Sequence, residues 1–116
     1  MERSNVIVDM TLSFALDIIA FTDQLNENKK FVIGQQLLKS GTAIGANVKE
    51  AQNCESKADF IHKLKIAAKE ADETEYWLIL CQHAKDYPFD KVLFDKLKEI
   101  QKIINKIIYT SKQRIT

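Results

Sequence analysis

A chain of 116 residues that is 46% apolar and 28% charged can bury one ordinary core, so a single domain over residues 1–116 is expected. Seventeen Lys and Arg against sixteen Asp and Glu leave a net charge of +1, which excludes the global positive field of a dedicated nucleic-acid binder. No apolar run approaches the ~20 residues that cross a bilayer, and Asp9 and Asp17 break the apolar stretch a signal peptide would need, so a cytoplasmic protein with no membrane partner is expected.

Three Gly and one Pro offer little material for sheet turns, and the abundance of Ala, Leu, Ile, Lys, Glu and Gln favours an all-α fold. The first helix is expected from about Val8 to Leu25. Phe14, Ile18, Phe21 and Leu25 form one apolar stripe, and Leu12, Ala15 and Ile19 form another beside it. Ser13, Asp17 and Gln24 leave only a narrow polar face, less than a helix on the outside of a monomer usually shows. The run NENKK, residues 26 to 30, ends the pattern.

The second helix is expected from Phe31 to about Asn53. Gly34, Gly41 and Val48 are spaced by seven and Gly45 follows Gly41 by four, so small side chains line one face, flanked by Ser40, Ala43 and Ala46. Each helical Gly costs roughly 1 kcal/mol against Ala, so close helix contact across this face must offset the loss. That contact is either packing within the chain or a contact between subunits.

The third helix opens with Ser56 as N-cap and Asp59 at the third position, and runs to about Lys85. Phe60, Leu64, Ala67, Ala71, Thr74, Leu78 and Cys81 mark its core face. A second stripe holds Lys63, Ile66, Glu70, Glu73, Trp77 and Leu80, where two carboxylates are bracketed by apolar residues. Glu70 and Glu73 are expected to serve packing, by hydrogen-bonding to Ser40 or Asn47 on helix two or by pairing with Lys39. Pro88 forbids helical continuation, and Asp90 caps a fourth helix in which Phe89 and Phe94 form a hydrophobic staple. The seam of that helix is Leu93, Leu97, Ile100, Ile104, Ile107 and Ser111, with Ile103, Ile108 and Ile115 outside it. Short links between four such helices predict an antiparallel up-and-down four-helix bundle. Surplus apolar surface on helices one and four would then be buried between subunits.

Residues that could carry chemistry are sparse. A di-metal carboxylate site in a bundle needs two Glu-x-x-His motifs, whereas only Asp59 and His62 have similar spacing and His83 lacks an acidic partner three residues before it. Cys54 and Cys81 have no C-x-x-C spacing and no sequence-local base, and there is no phosphate-cradling glycine loop. No enzyme activity, metal or cofactor is expected. Residues 90 to 116 hold seven Lys and Arg against three Asp and Glu, with Lys98, Lys102 and Lys106 in a stripe and Lys112 and Arg114 extending it. That stripe is either a solvated helix face or, in an assembly, part of a ring that holds the phosphates of RNA or DNA.

The segments QLLKSGTAIGANVKEAQ, from Gln36 to Gln52, and SKADFIHKLKIAAKEADETEYWL, from Ser56 to Leu78, resemble the bacterial four-helix-bundle family of 23S rRNA intervening-sequence proteins. Relatives of that family include the accessory variability protein of diversity-generating retroelements. The resemblance implies an up-and-down bundle assembled as a homopentamer, with no known catalytic activity. In the retroelement relatives it implies a basic barrel that binds nucleic acid and the reverse transcriptase. This chain departs from those strongly basic relatives in its near-neutral charge, and from many relatives in having Ala51 after the Glu.

Overall fold

The computed structural model describes residues 5–113. It contains four helices: α1 (Val6–Glu27), α2 (Phe31–Ala51), α3 (Lys57–His83) and α4 (Lys91–Gln113). Each helix touches the next in sequence and α4 closes against α1, while the diagonal pairs stay apart. Cross-helix neighbours run in opposite senses along the sequential pairs: Thr11 with Gly45 and Ile18 with Gly41, Glu50 with Lys63 and Ser40 with Thr74, and Asp72 with Gln101 and Glu75 with Lys98. The fold is the expected antiparallel up-and-down four-helix bundle.

Local chemistry explains the helix ends. The Asn5 side chain accepts from the Val8 amide at 3.4 Å, so α1 starts at Val6, a little earlier than the apolar stripe suggests. Its C-terminus is closed by two amides that return to the last turn, Lys29 to the Asn26 carbonyl at 2.9 Å and Lys30 to the Leu25 carbonyl at 2.8 Å. This reversal puts Lys29 in the left-handed region at φ 63, where glycine is usual. Lys30 then lies over the Tyr87 ring, 4.7 Å from its centroid, and ties the α1–α2 link to the α3–α4 link. Ser56 caps α3 by accepting from the Asp59 amide at 3.0 Å. Asp90 accepts from the Leu93 amide at 3.1 Å, and the Phe89 and Phe94 rings sit 6.0 Å apart. The α3 helix ends at His83, two residues before the expected Lys85. Ala84 turns extended and Asp86 left-handed, at φ 65, so that Tyr87 and Phe89 pack against the core.

One stripe of each helix fills the centre, led by Phe14, Ile18 and Leu25 from α1, Leu37 and Ile44 from α2, Leu64 and Leu78 from α3, and Leu97, Ile100 and Ile104 from α4. Buried Thr11 and Thr22 on α1 satisfy their hydroxyls on the carbonyls of Ile7 and Ile19, at 2.8 and 3.0 Å, and so pack as small side chains. The three glycines all face α1. A Cβ at Gly41 would lie 2.8 Å from Cγ1 of Ile18, and one at Gly45 would lie 3.2 Å from the Thr11 carbonyl oxygen. Within the chain, then, the small-residue face of α2 lets the α1 backbone approach.

Candidate interaction surfaces

The close approach of α1 and α2 leaves a shallow floor with tall rims. Leu12, Leu16 and Ile19 recur at helical spacing on α1 and remain 61%, 60% and 43% exposed, and Phe31 and Leu38 on α2 remain 59% and 40% exposed. Between Leu12 and the α2 helix lies a groove of about 280 Å³, floored by Ala15, Thr42, Gly45 and Ala46. Five large apolar side chains left this exposed along one pair of helices are the kind of surface that marks an interaction site. The sequence pointed to surplus apolar surface on helices one and four. The structure places it on α1 and α2, because Ile103, Ile107 and Ile108 are half-buried against the core. Leu16, Phe31 and Leu38 were not apparent as members of the strip, although the spacing of Leu16 with Leu12 and Ile19 carries the signal.

Between α2 and α3, the expected hydrogen bonds from Glu70 and Glu73 to Ser40 or Asn47 do not form. The buried Ser40 hydroxyl instead meets the hydroxyl of Thr74 at 2.9 Å, and Thr74 also reaches the Glu70 carbonyl at 2.8 Å. Asn47 donates to the Ala43 carbonyl of its own helix at 2.9 Å. Thr74 lies one turn beyond Glu70 on the core side, and its short side chain fits where a carboxylate would not. Glu70 is half-buried and Glu73 exposed. Burial, and then the neighbouring Glu73 carboxyl, raise the Glu70 pKa above the usual carboxylate value, with Lys39 opposing them.

The α3–α4 face is polar. Lys98 bridges Glu75 at 2.9 Å, and Gln101 donates to Glu75 and Asp72 at 2.9 and 3.2 Å. Hydrogen bonds from Lys98 and Gln101 hold the Glu75 carboxyl below its usual pKa. Lys102 lies 3.6 Å from Glu99 of its own helix. Lys106 forms no ion pair among the described residues. Lys112 abuts Lys65, whose contact and like charge lower its pKa. Of the lysine stripe, the part least neutralised by acids is thus Lys106 and Lys112. Arg114 lies outside the described residues.

The remaining candidates are dispersed. Burial pushes the Cys81 thiol up to about 11, and the Cys54 sulfur lies 3.6 Å from the Glu50 carbonyl. His62 and His83 are exposed. Among the described residues no three His, Cys, Asp or Glu side chains converge to hold a metal, and no helix is long and apolar enough to cross a membrane.

A family model described as 23S rRNA-intervening sequence protein matches residues 3–108. A crystal structure of a protein of unknown function from the S23 ribosomal protein family of Bacteroides thetaiotaomicron VPI-5482 is 43% identical. The match covers 88% of this chain and 97% of that one, with a TM-score of 0.83. A comparison with curated proteins yields no match. Over nearly all of its length, this chain belongs to the 23S rRNA-intervening sequence protein family.

Proposed function

We propose that this protein is a non-enzymatic bundle that assembles with copies of itself in the cytoplasm, as the pentamer its family resemblance implies, and works through contacts with protein or RNA. The observation that carries this reading is the apolar strip of Leu12, Leu16, Ile19, Phe31 and Leu38, which water surrounds in the isolated chain. Two free cysteines suit a reducing compartment. Gel filtration with light scattering tests the assembly. The wild type elutes at a multiple of its 13.3 kDa mass, and Leu16→Glu, which places a charge in the strip, elutes as a monomer. A monomeric wild type at micromolar concentration overturns the proposal.

A second reading, contact with nucleic acid through helix four, is favoured by the juxtaposition of Lys112 with Lys65 and by Lys106, which has no ion pair among the described residues. It predicts salt-sensitive binding of a structured RNA that weakens when Lys106 and Lys112 become Glu. Binding that is absent at low salt, or unchanged by those substitutions, removes it.

A further inference from the structure

Across the bundle from the apolar strip lies the side made by α3 and α4, since contacts join α1 to α2, α2 to α3, α3 to α4 and α4 to α1. Its floor is polar. Gln101 donates to Asp72 and Glu75, Lys98 closes on Glu75, and Lys102 and Asn105 complete a trough of about 350 Å³. Its edges are cationic and aromatic. On α3, Lys65, Lys69, Asp72 and Tyr76 recur at helical spacing, and on α4 one row holds Lys98, Lys102, Asn105, Tyr109 and Lys112. The contacts of Glu75 with Lys98 and of Lys65 with Lys112 fix the order along the trough, with Tyr76 toward one end and Tyr109 toward the other. At 1.5 Å per helical residue the two rings stand roughly 15–20 Å apart along the bundle. Tyr76 and Tyr109 are 58% and 66% exposed, so both rings lie open to a ligand.

We infer that the α3–α4 face binds a single-stranded nucleic acid, with bases stacked on Tyr76 and Tyr109 and phosphates held by Lys65, Lys69, Lys102 and Lys112. Lys65, Lys69 and Lys112 are exposed and have no ion pair among the described residues, which leaves them available to phosphate. A tyrosine ring stacks on the flat face of any base, but only where the base is not already stacked in a duplex. The groups between the rings point the same way. Glu75 is committed to Lys98 and Gln101, whereas the exposed Asp72 carboxylate and the Asn105 amide are placed to meet the donor and acceptor edges of unpaired bases. Duplex phosphates laid over this trough would be repelled by Asp72. A single strand avoids that conflict by turning its bases to the trough and its phosphates to the lysines on the edges. An acidic peptide would satisfy the lysines but would leave both rings unused.

The inference rests on the second reading above, that helix four contacts nucleic acid, and fluorescence anisotropy at low salt separates the two. The probes are a labelled RNA strand of about 12 nucleotides and mixed sequence, the same strand annealed to its complement, an abasic strand of equal length, and a polyglutamate peptide. The single strand is expected to bind about tenfold more tightly than each of the other three. Tyr76→Ala with Tyr109→Ala is expected to lose about tenfold in affinity for it, while keeping wild-type helical circular dichroism and a wild-type salt dependence. Tyr76→Phe with Tyr109→Phe, which keeps the rings, is expected to bind as the wild type does. If the duplex, the abasic strand or the peptide binds as well as the single strand, or if the double Ala variant binds it unchanged, the single-strand site is overturned. Nucleic-acid contact through helix four then stands only if the lysine substitutions named above still weaken RNA binding. No binding of any strand at low salt overturns both.

Discussion

Replacing Gly41 by Ala adds one methyl group to a helix that would otherwise welcome it. Helix propensity alone favours Ala by about 1 kcal/mol. The new Cβ would, however, lie 2.8, 2.9 and 3.0 Å from Cγ1, Cγ2 and Cδ1 of Ile18, about 1 Å inside comfortable carbon contact. Ile18 is fully buried and branched at Cβ, so it has few rotamers to escape into. Overpacking of this kind costs about 1–3 kcal/mol, which outweighs the propensity gain and leaves Gly41→Ala destabilised by about 1 kcal/mol. Gly34→Ala is the control in the same helix. Its Cβ would meet chiefly Oδ1 of Asn26, at 2.9 Å, the end of an exposed side chain that can swing away. Gly34→Ala should therefore gain about 0.5–1 kcal/mol. The pair is best compared by urea and thermal unfolding in the Leu16→Glu background, at one protein concentration, so that assembly does not add to stability. The reasoning is refuted if Gly41→Ala is as stable as Gly34→Ala, because propensity would then have decided both.

Two further predictions concern stability. Lys29→Gly should stabilise the protein by about 1 kcal/mol, since Lys29 is exposed and held at φ 63, where a Cβ is penalised; an unchanged melting temperature in the same background counts against this. The two perturbed glutamates should act in opposite directions with pH. Glu75, whose pKa is lowered, adds stability above the ordinary glutamate pKa that is lost as pH falls through its depressed value, so Glu75→Gln should flatten the acid limb of the stability profile. Glu70, whose pKa is raised, subtracts stability as pH rises through its elevated value. Glu70→Gln should then stabilise the neutral protein by no more than about 0.5 kcal/mol, because solvent screens the pair, and should have no effect in acid. Parallel profiles for both variants would show that neither carboxyl is perturbed as described.

The features legible in the sequence are those set by neighbours within one turn. Ser56 with Asp59, Asp90, and Phe89 with Phe94 all lie at the positions their spacing predicts, because a cap or staple needs nothing from the rest of the chain. The end of α3 was less legible. Pro88 marks where the helix cannot continue, but it ends earlier, at His83, because docking Tyr87 and Phe89 on the core requires the turn at Ala84 and Asp86. Periodicity also misplaced the polar contacts on α2. It identifies Glu70 as lying beside the core face, yet which side chain reaches Ser40 depends on length, and the short hydroxyl of Thr74 fits the gap. The same limit applied to α4, where Ile103 and Ile108 look uncovered in a helical projection. They are partly sheltered against the core, whereas Leu16, Phe31 and Leu38 are exposed, and Ile115 lies outside the described residues.

The small-residue strip of α2 left two readings open, packing within the chain or contact between subunits, and the depth of each glycine shows how the two are linked. Gly41 lies under Ile18 and is sealed inside the pair, whereas Gly45 faces both the Thr11 backbone and the outer groove. Bringing the α1 and α2 backbones together at Gly41 and Gly45 leaves too little depth for Leu12, Leu16, Ile19, Phe31 and Leu38 to turn inward. The inner stations are already filled by Phe14, Ile18, Leu37 and Ile44, so these side chains stand at the rim. The internal contact thus generates the exposed apolar strip. Widening the α1–α2 spacing would weaken the core and also deform the apolar groove, whereas a charge at the exposed Leu16 would act on the outer strip alone. On the proposed assembly, a variant that loosens Gly41 packing should lower both stability and subunit affinity, while Leu16→Glu should separate the two.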